Sequence, residues 1–351
     1  MKTVILDVET RSALDLRKVG AARYARHPST DVWCVGWALD DQRVQLWLPG
    51  DPVPEAIATA DVIVAHNAGF DRAILAHVLS RYGWPSIPIK RFRCTQAMGL
   101  AVALPAKLKK LAAVLKLKHQ KADDKIAHQM AKPRRPRGNE DPNGTYWFDD
   151  PEHLQALYDY CKQDVECERE LYQRLPPLSA VEQQVWQLDQ RINDHGFYTD
   201  GALIEKAITI ATAADRAVQA ELQQITGSAI ETAHQVEKLI AWLAAQGCEV
   251  KDLKKATLRA ALRRKELKPE ARRVIELRLE AAHASADKMQ ALRAWRCIDG
   301  RVRCAFRYHG AATGRWSGAG PQPQNFKRET ENTEAKFAAV MTDDLEQRPL
   351  S

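Results

Sequence analysis

The chain has 351 residues, a length that predicts two or three domains. Hydrophobic residues make up 45% of it, enough to bury a sizeable core, and the formal net charge of +7 is compatible with nucleic-acid binding without requiring it. The 7 cysteines are odd in number and form no C-x-x-C pair, so the sequence predicts neither a zinc site nor a disulfide framework. Because it shows neither a signal peptide nor an apolar run of membrane-spanning length, we expect a cytoplasmic protein without a membrane partner.

The first part of the chain is predicted to be α/β. Runs of β-branched and aromatic residues predict four strands, at residues 3–9, 32–39, 43–48 and 61–66. Start signals and helical periodicity predict three helices, after Asn67, at residues 106–117 and from about Pro151 to Leu171. The last of these helices has a proline at its first position and an acidic pair just before it, as helix starts often do.

The composition of the chain changes after the proline-rich segment at residues 174–179. From residue 181 to about 296, Ala, Leu, Glu and Arg dominate with apolar residues at helical spacing, which predicts a mainly α-helical region. A strand-and-turn pattern returns near residue 300. We therefore predict three regions, at residues 1–175, 176–298 and 299–351, the last of which ends in a weakly patterned polar tail.

Two carboxylates stand at the end of the first predicted strand. Asp7 and Glu9 are two residues apart and therefore point to the same face of the strand. Two carboxylates side by side repel each other unless a divalent metal ion neutralises them. A single D-x-E pair is more often only a solvated strand end, so this pair needs support from other residues.

Two further pairs supply that support, although each also has an ordinary structural explanation. Asn67 and Asp71 begin the helix that follows a buried strand, where Asn can cap a helix and Asp favours its dipole. Tyr160 and Asp164 are four residues apart in the long helix and therefore share one face, as a packing residue and a surface charge often do.

In chain order these residues form three motifs, which are Asp7-x-Glu9, Asn67-x-x-x-Asp71 and Tyr160-x-x-x-Asp164. The ordered set resembles the DEDD superfamily of 3′–5′ exonucleases, and a Tyr four residues before the last Asp resembles its Tyr subtype. The resemblance implies an RNase H-like domain, a mixed sheet with helices, over residues 1–175. It also implies hydrolysis of phosphodiester bonds at the 3′ end of single-stranded DNA.

The same resemblance implies a role for each carboxylate. Two Mg²⁺ or Mn²⁺ ions would activate a water, neutralise the phosphate and stabilise the leaving oxygen. Asp7 would bridge both ions, Glu9 and Asp164 would help to hold the ion that binds the attacking water, and Asp71 would serve the other ion. Tyr160 would orient the water rather than act as a strong base, since an unperturbed Tyr titrates near pH 10.

A second resemblance lies near the end of the chain. The stretch TGRWSGAGPQPQN at residues 313–325 is similar to the first palm segment of family A DNA polymerases, and the helical region before it resembles their thumb. This resemblance implies that Arg315 binds the DNA minor groove, where acceptors common to all base pairs are exposed. Gln324 and Asn325 would also contact DNA, and Asn67 would contact the terminal nucleotide in the exonuclease region.

Resemblance to a phage-type family A DNA polymerase therefore extends from residue 1 to about residue 328. The two palm aspartate motifs and the fingers helix of that family do not occur in this sequence. We expect a proofreading exonuclease without polymerase activity of its own, which acts on DNA 3′ ends and primer-template, either as a fragment or beside a separate polymerase-domain chain. The alternatives are a non-catalytic DNA-binding remnant or subunit of a split polymerase, and an RNA-processing exonuclease of the same superfamily.

Overall fold

The structure is a computed structural model that describes residues 1–281, 284–326 and 340. Two compact units divide the chain. Unit 1 contains residues 1–199 and 294–326, and unit 2 contains residues 200–293. Except for Val340, the polar tail predicted after residue 328 lies outside the described residues.

A five-stranded mixed sheet forms the centre of unit 1. Its strands are β1 Thr3–Arg11, β2 Asp31–Leu39, β3 Gln45–Trp47, β4 Val62–Ala65 and β5 Phe92–Cys94, in the order β3-β2-β1-β4-β5. The central strand β1 runs antiparallel to β2 and parallel to β4. The predicted α/β region with a mixed sheet is therefore confirmed, and β5 is a strand that the sequence pattern missed.

Eight helices in the described part of unit 1 surround this sheet. They are α1 Leu16–Ala25, α2 Glu55–Thr59, α3 Ala68–His77, α4 Thr95–Ala101, α5 Leu108–Val114, α6 Lys125–Met130, α7 Pro151–Arg174 and α8 Ala180–His195. The start of α7 is the one expected, because Pro151 is its first residue and the Asp150 side chain accepts a hydrogen bond from the His153 backbone N–H at 3.2 Å.

The two faces of β1 explain where its carboxylates lie. Val4, Leu6 and Val8 point into the main hydrophobic core, which fills one side of the sheet. Ile5 points to the other side, where it packs in a cluster that contains Val165 of α7. Since side chains alternate along a strand, the odd-numbered residues that follow Ile5 also lie on the α7 side. This geometry places the charged end of β1 beside the long helix.

Helix α8 belongs to unit 1, although its sequence lies in the predicted helical region. Its Trp186 is 2% exposed and packs in the main core of the sheet domain. The last described segment joins the same core through Tyr308, whose hydroxyl donates to Glu182 at 2.6 Å. The unit boundaries accordingly fall at residues 200 and 294, where the sequence placed them at 176 and 299.

Short two-residue strands complete the description of unit 1. They are β6 Phe197–Tyr198, β7 Arg301–Val302, β8 Phe306–Arg307 and β9 Ser317–Gly318. Strands β6 and β7 pair with each other, so the point where the chain leaves unit 1 lies beside the point where it returns. Strands β8 and β9 form a second ribbon, which is the strand-and-turn segment expected from the sequence.

Trp295 fixes the returning chain against the rest of unit 1. Gly20 and Gly320 both have positive φ angles, of +73° and +56°, and a Cβ atom at either position would lie within 2.7 Å of the Trp295 ring. Glycine is therefore required at both positions for two reasons, which are the backbone conformation and the space that the indole ring occupies.

Unit 2 is helical, as predicted. It contains α9 Gly201–Thr226, α10 Val236–Ala245, α11 Lys255–Leu262, α12 Pro269–Glu280 and most of α13 Ala284–Trp295. It has a hydrophobic core of its own, and Arg273 of α12 donates two hydrogen bonds to Glu221 of α9 at 2.7 and 2.8 Å. Among the described residues, no helix has both the length and the apolar character that a membrane span requires.

Candidate active site

Asp7 and Glu9 meet a residue of α7 beside the second half of β1, which continues to Arg11, two residues beyond the strand end expected from the sequence. One carboxylate oxygen from each and the Sγ atom of Cys161 all lie within 4.8 Å of one another. The Cys161 thiol is 3.7 Å from Asp7 Oδ2 and is fully buried, whereas Asp7 and Glu9 are partly buried residues. A register shift follows Glu9 on β1, a type of irregularity that is frequent beside active sites. The predicted D-x-E pair is therefore part of a real three-dimensional cluster.

A glycine on the neighbouring strand β2 allows α7 to lie this close to Asp7. Gly36 of β2 is the register partner of Asp7, and a Cβ atom there would lie 2.8 Å from Cys161 Sγ and 2.9 Å from Val165. Any side chain at residue 36 would push α7 away from the sheet. The position of α7 beside Asp7 thus depends on a glycine in the next strand.

Tyr160 and Asp164 lie on the face of α7 that is turned toward the sheet, and both are buried. The residue that links them is Lys121, which precedes α6. Its ammonium group contacts the Tyr160 hydroxyl and Asp164 Oδ2, and lies 3.5 Å from Asp124 Oδ1. The Tyr160 hydroxyl in turn donates to Asp124 at 3.1 Å.

Lys121 and Asp124 are site residues that the sequence analysis missed. They lie in a polar segment without helical or strand periodicity, and their contacts join positions about 40 residues apart in the chain. The Lys121 side chain is only 13% exposed. Such burial is rare for a lysine, and it indicates that the residue belongs to the carboxylate cluster. In the sequence the only hint is a lysine two residues before a pair of aspartates, a pattern that surface loops share.

Asp71 is buried in the first turn of α3, where the sequence pattern placed it. Asn67 occupies the cap position of the same helix. Its side chain makes no capping hydrogen bond, and its backbone adopts the left-handed conformation with φ +64°. The Asn67 side chain is exposed, so capping does not account for this residue.

Burial is the main reason why the carboxyl groups of the cluster are weaker acids than usual. It raises the pKa of Asp7, Glu9 and Asp71 above their usual values, and the Asp7 carboxylate raises the latter two further. Burial and Asp7 together raise the pKa of Asp164 to about 7. Burial and Asp164 also raise the pKa of Tyr160, which therefore keeps its proton at neutral pH. These carboxylates need a positive partner to be charged together.

The donor atoms fit a hard divalent cation. Carboxylate oxygens of Asp7, Glu9 and Asp164 are the ligands that Mg²⁺ and Mn²⁺ prefer. Asp164 Oδ1 is buried without a hydrogen-bond partner, and a bound cation would supply the contact that it lacks. Two of the four carboxylates expected to hold metal, Asp7 and Glu9, thus lie in a group that could hold an ion. The parts of Asp71 and Asp164 in metal binding and the identity of the ion stay predictions.

His66, next to these residues, has a structural role. Its Nδ1 atom is 2.9 Å from the Thr95 hydroxyl, and its Nε2 atom is 2.9 Å from the Ala106 carbonyl oxygen. Burial lowers the pKa of His66 to about 4, so the ring is neutral at physiological pH. Its backbone N–H donates to the buried Glu168 at 3.1 Å, which fixes the end of β4 against α7.

The three other predicted DNA-binding residues lie on the ribbon and turn at residues 306–325. Arg315, Gln324 and Asn325 are all exposed. Asn325 donates to the Gln322 side chain at 2.8 Å, while Gln324 packs against Gly318, where a Cβ atom would lie 2.1 Å from its side-chain oxygen. Their contact with DNA stays a prediction.

Comparison with known proteins tests the resemblance to DNA polymerases. The DNA polymerase of Bacillus phage SP02 is 31% identical over 338 residues, which are 93% of this chain and 51% of the phage protein. This chain is a homologue of a phage DNA polymerase. The resemblance to a phage-type DNA polymerase is therefore confirmed. No protein-family model matches the sequence.

Solved structures agree with this homology at the level of the fold. The polymerase domain of Pol1 from M. smegmatis, solved with DNA primer-template and dNTP, has a TM-score of 0.56 and 16% identity. That match covers 97% of this chain and 54% of the mycobacterial chain. The family B DNA polymerase of Pyrobaculum calidifontis has a TM-score of 0.35, too low to indicate a common fold. This DNA polymerase homologue thus spans about half the length of the phage and mycobacterial proteins.

Proposed function

We propose that this chain is a metal-dependent 3′–5′ exonuclease that proofreads DNA 3′ ends during DNA replication. The observation that carries this proposal is the meeting of Asp7 and Glu9 of β1 with Cys161 of α7, from positions more than 150 residues apart in the chain. Cys161 lies next to Tyr160 and three residues before Asp164 on the same helix. Homology to a DNA polymerase supports DNA as the substrate class. The sheet order and the covering helix α7 are compatible with the RNase H-like architecture expected from the motifs.

Each residue has a specific task in this reaction. When bound, two divalent ions would supply the positive charge that neutralises the scissile phosphate and orders the attacking water. Asp7 would contact both ions, Glu9 and Asp164 one of them, and Asp71 the other. Tyr160 keeps its proton, so its hydroxyl orients the water by hydrogen bonding and does not remove a proton from it.

The second half of the proposal concerns primer-template DNA. We infer that Arg315, Gln324 and Asn325 contact DNA near the primer end, which is supported by their exposure on the ribbon of unit 1. The presence of primer-template in the mycobacterial structure is compatible with this assignment. Because the two palm aspartate motifs do not occur in the sequence, we propose no polymerase activity for residues 1–351 alone.

Digestion of single-stranded DNA tests the exonuclease. With Mg²⁺ or Mn²⁺, we expect a strand labelled at its 5′ end to shorten one nucleotide at a time from its 3′ end. The double variant Asp7→Ala/Glu9→Ala removes two of the carboxylates, and we expect a loss of roughly 10²–10³-fold or more, the range for removing a preorganised electrostatic contact. Digestion that is independent of metal, or equal in the variant, would sink the proposal.

The same assay separates the alternatives. A non-catalytic DNA-binding remnant would retard labelled DNA in a gel without shortening it, whether or not Mn²⁺ is present. An RNA-processing exonuclease would shorten an RNA strand of the same sequence faster than the DNA strand. We expect the DNA strand to be shortened faster, since the homologue is a DNA polymerase.

A further inference from the structure

The carboxylate cluster contains a cation that belongs to the protein. Lys121 reaches from the segment before α6, and its ammonium group contacts both Asp164 Oδ2 and the Tyr160 hydroxyl. It also lies 4.4 Å from the centre of the Tyr160 ring, close enough for a cation–π interaction. Lys121 therefore touches the two residues of α7 on which the proposed reaction depends.

Charge balance explains why a buried lysine is tolerated here. The Asp7 carboxylate disfavours the charged forms of Glu9, Asp71 and Asp164, and each of the four carboxylates is destabilised by burial when it is charged. Lys121 acts in the opposite direction on three of them, since its charge favours the ionised forms of Asp7, Glu9 and Asp164. A buried lysine without such partners would be costly, and here the cost is offset by the carboxylates.

The contact with Asp164 has a consequence for metal binding. Oδ2 is engaged by Lys121, while Oδ1 is buried without a partner. A divalent cation that takes Asp164 as a ligand must therefore share this carboxylate with the ammonium group or displace it. Tyr160 and Asp124 offer the ammonium group two other partners, both within the same cluster.

We propose that Lys121 is a tethered counter-ion and a positioning residue, which holds Asp164 and Tyr160 in place before a divalent ion binds and then yields Asp164 to that ion. This inference rests on the proposed metal site. Lys121 keeps its contacts with Tyr160 and Asp124 after the exchange, so the Tyr160 hydroxyl stays oriented. The carboxylates are thus kept in their arrangement without metal, at the expense of weaker metal binding.

Mn²⁺ binding to the Lys121→Met variant tests this competition. Methionine has a similar length and no charge, so the variant removes the competitor for Asp164 with little change in volume. By isothermal titration we expect the variant to bind Mn²⁺ more tightly than the wild type, by roughly tenfold, or about 1.4 kcal/mol. We also expect a lower melting temperature in EDTA and a larger rise of that temperature on adding Mn²⁺.

Two controls keep the test decisive. Lys125→Met removes the same charge four residues away, from a side chain that is 90% exposed, and we expect it to leave Mn²⁺ affinity unchanged. Lys121→Arg keeps the charge, and we expect it to retain the metal-free melting temperature, so that the role of the charge can be measured even if Lys121→Met folds poorly. A merely structural lysine would lower the melting temperature equally with and without Mn²⁺.

The outcomes distinguish this inference from the exonuclease proposal. Mn²⁺ affinity that is unchanged or weaker in Lys121→Met overturns the counter-ion role, even if the wild type digests DNA. Tighter Mn²⁺ binding in a protein that digests no DNA supports the counter-ion role and overturns the exonuclease. If the wild type and the variant both fail to bind Mn²⁺, both proposals fall.

Discussion

The Tyr160 hydroxyl is held at a defined position, because it accepts a hydrogen bond from Lys121 and donates one to Asp124 at 3.1 Å. Such a group can orient a water molecule only if its own position is fixed. We therefore expect Tyr160→Phe to reduce the exonuclease rate roughly 10²-fold, the cost of a misplaced reacting group, and to leave the affinity for single-stranded DNA nearly unchanged.

Steady-state digestion and DNA binding measured separately check this prediction. Tyr158→Phe is a suitable control, because it makes the same change on the same helix at a residue outside the cluster. An equal loss of rate in both variants, or a large loss of DNA affinity in Tyr160→Phe, would contradict the orienting role.

Asp164 predicts how the stability of the metal-free protein depends on pH. Its pKa is raised to about 7 in the folded chain, against about 3.9 for Asp in an unfolded chain. The folded state therefore binds the proton more tightly, and the free energy of unfolding falls as the pH rises from about 4 through 7. Asp7, Glu9 and Asp71 shift in the same direction and strengthen the effect.

We expect a higher melting temperature at pH 5.5 than at pH 8 when both are measured in EDTA. The difference is expected to shrink in Asp164→Asn, which cannot ionise, and to shrink in the wild type when Mn²⁺ is added. A melting temperature that rises with pH in EDTA would show that the carboxylates are not destabilised by burial.

At the scale of residues, the sequence predicted the acidic half of the cluster and missed the basic half. The positions of Asp7, Glu9 and Tyr160 could be predicted because strand and helix periodicities fix which side chains share a face. The position of Lys121 could not be predicted, because its place in the cluster depends on how an irregular segment of the chain crosses the sheet. Spacing rules apply only within one helix or strand, whereas the contact of Lys121 with α7 joins two separate parts of the chain.

Helix α8 lies in the predicted helical region, but the sequence did not predict its place in the fold. The prolines at residues 176 and 177 do end α7, but they mark a turn within unit 1 rather than a domain boundary. Trp186 decides this, since it carries α8 into the core of the sheet domain. A tryptophan at helical spacing signals burial without revealing which core it enters.

Trp186→Ala tests the packing of this helix. The indole is 2% exposed, and its removal is expected to lower the free energy of unfolding of unit 1 by about 3–5 kcal/mol. Leu188→Ala on the same helix is the control, because that side chain is 44% exposed and its loss is expected to cost far less. Urea unfolding followed by circular dichroism measures both, and equal effects would place Trp186 outside the core.

The short elements escaped the sequence analysis for a common reason. β5 has three residues and α6 has six, so neither is long enough to show a periodic pattern. By contrast β1, β2 and α7 carry clear patterns over nine residues or more, and the structure contains all three where they were predicted. Length accounts for only part of this difference, since α1 has ten residues and was also missed, while β3 has three and was predicted.

At the scale of the whole molecule, unit 2 is inserted into unit 1. The chain leaves after Thr199 and returns at Ala294, and β6 pairs with β7 where the two segments meet. The Thr199 backbone N–H donates to the Gly300 carbonyl oxygen at 3.0 Å. Each unit also has a hydrophobic core of its own. Unit 1 is therefore expected to fold without the helical unit.

A shortened chain tests this expectation. When residues 200–293 are replaced by a short Gly/Ser linker, we expect a cooperative thermal transition and a near-ultraviolet circular dichroism spectrum with fixed aromatic signals. As a comparison, removing residues 176–199 takes Trp186 out of the core, and we expect that deletion to abolish the transition. Loss of cooperativity in the first protein would show that unit 1 depends on unit 2.

The pairing of β6 with β7 also sets an order of events during translation. A ribosome must synthesise roughly one hundred residues between the two strands, which takes about 5–20 s at 5–20 residues per second. During that interval the helices of unit 2 can already form, while β6 has no partner and Gly20 lacks the Trp295 ring that covers it. The nascent unit 1 is thus incomplete until its last strands are synthesised. A translational pause before β7 would prolong the time during which β6 is unpaired and the surface at Gly20 is uncovered.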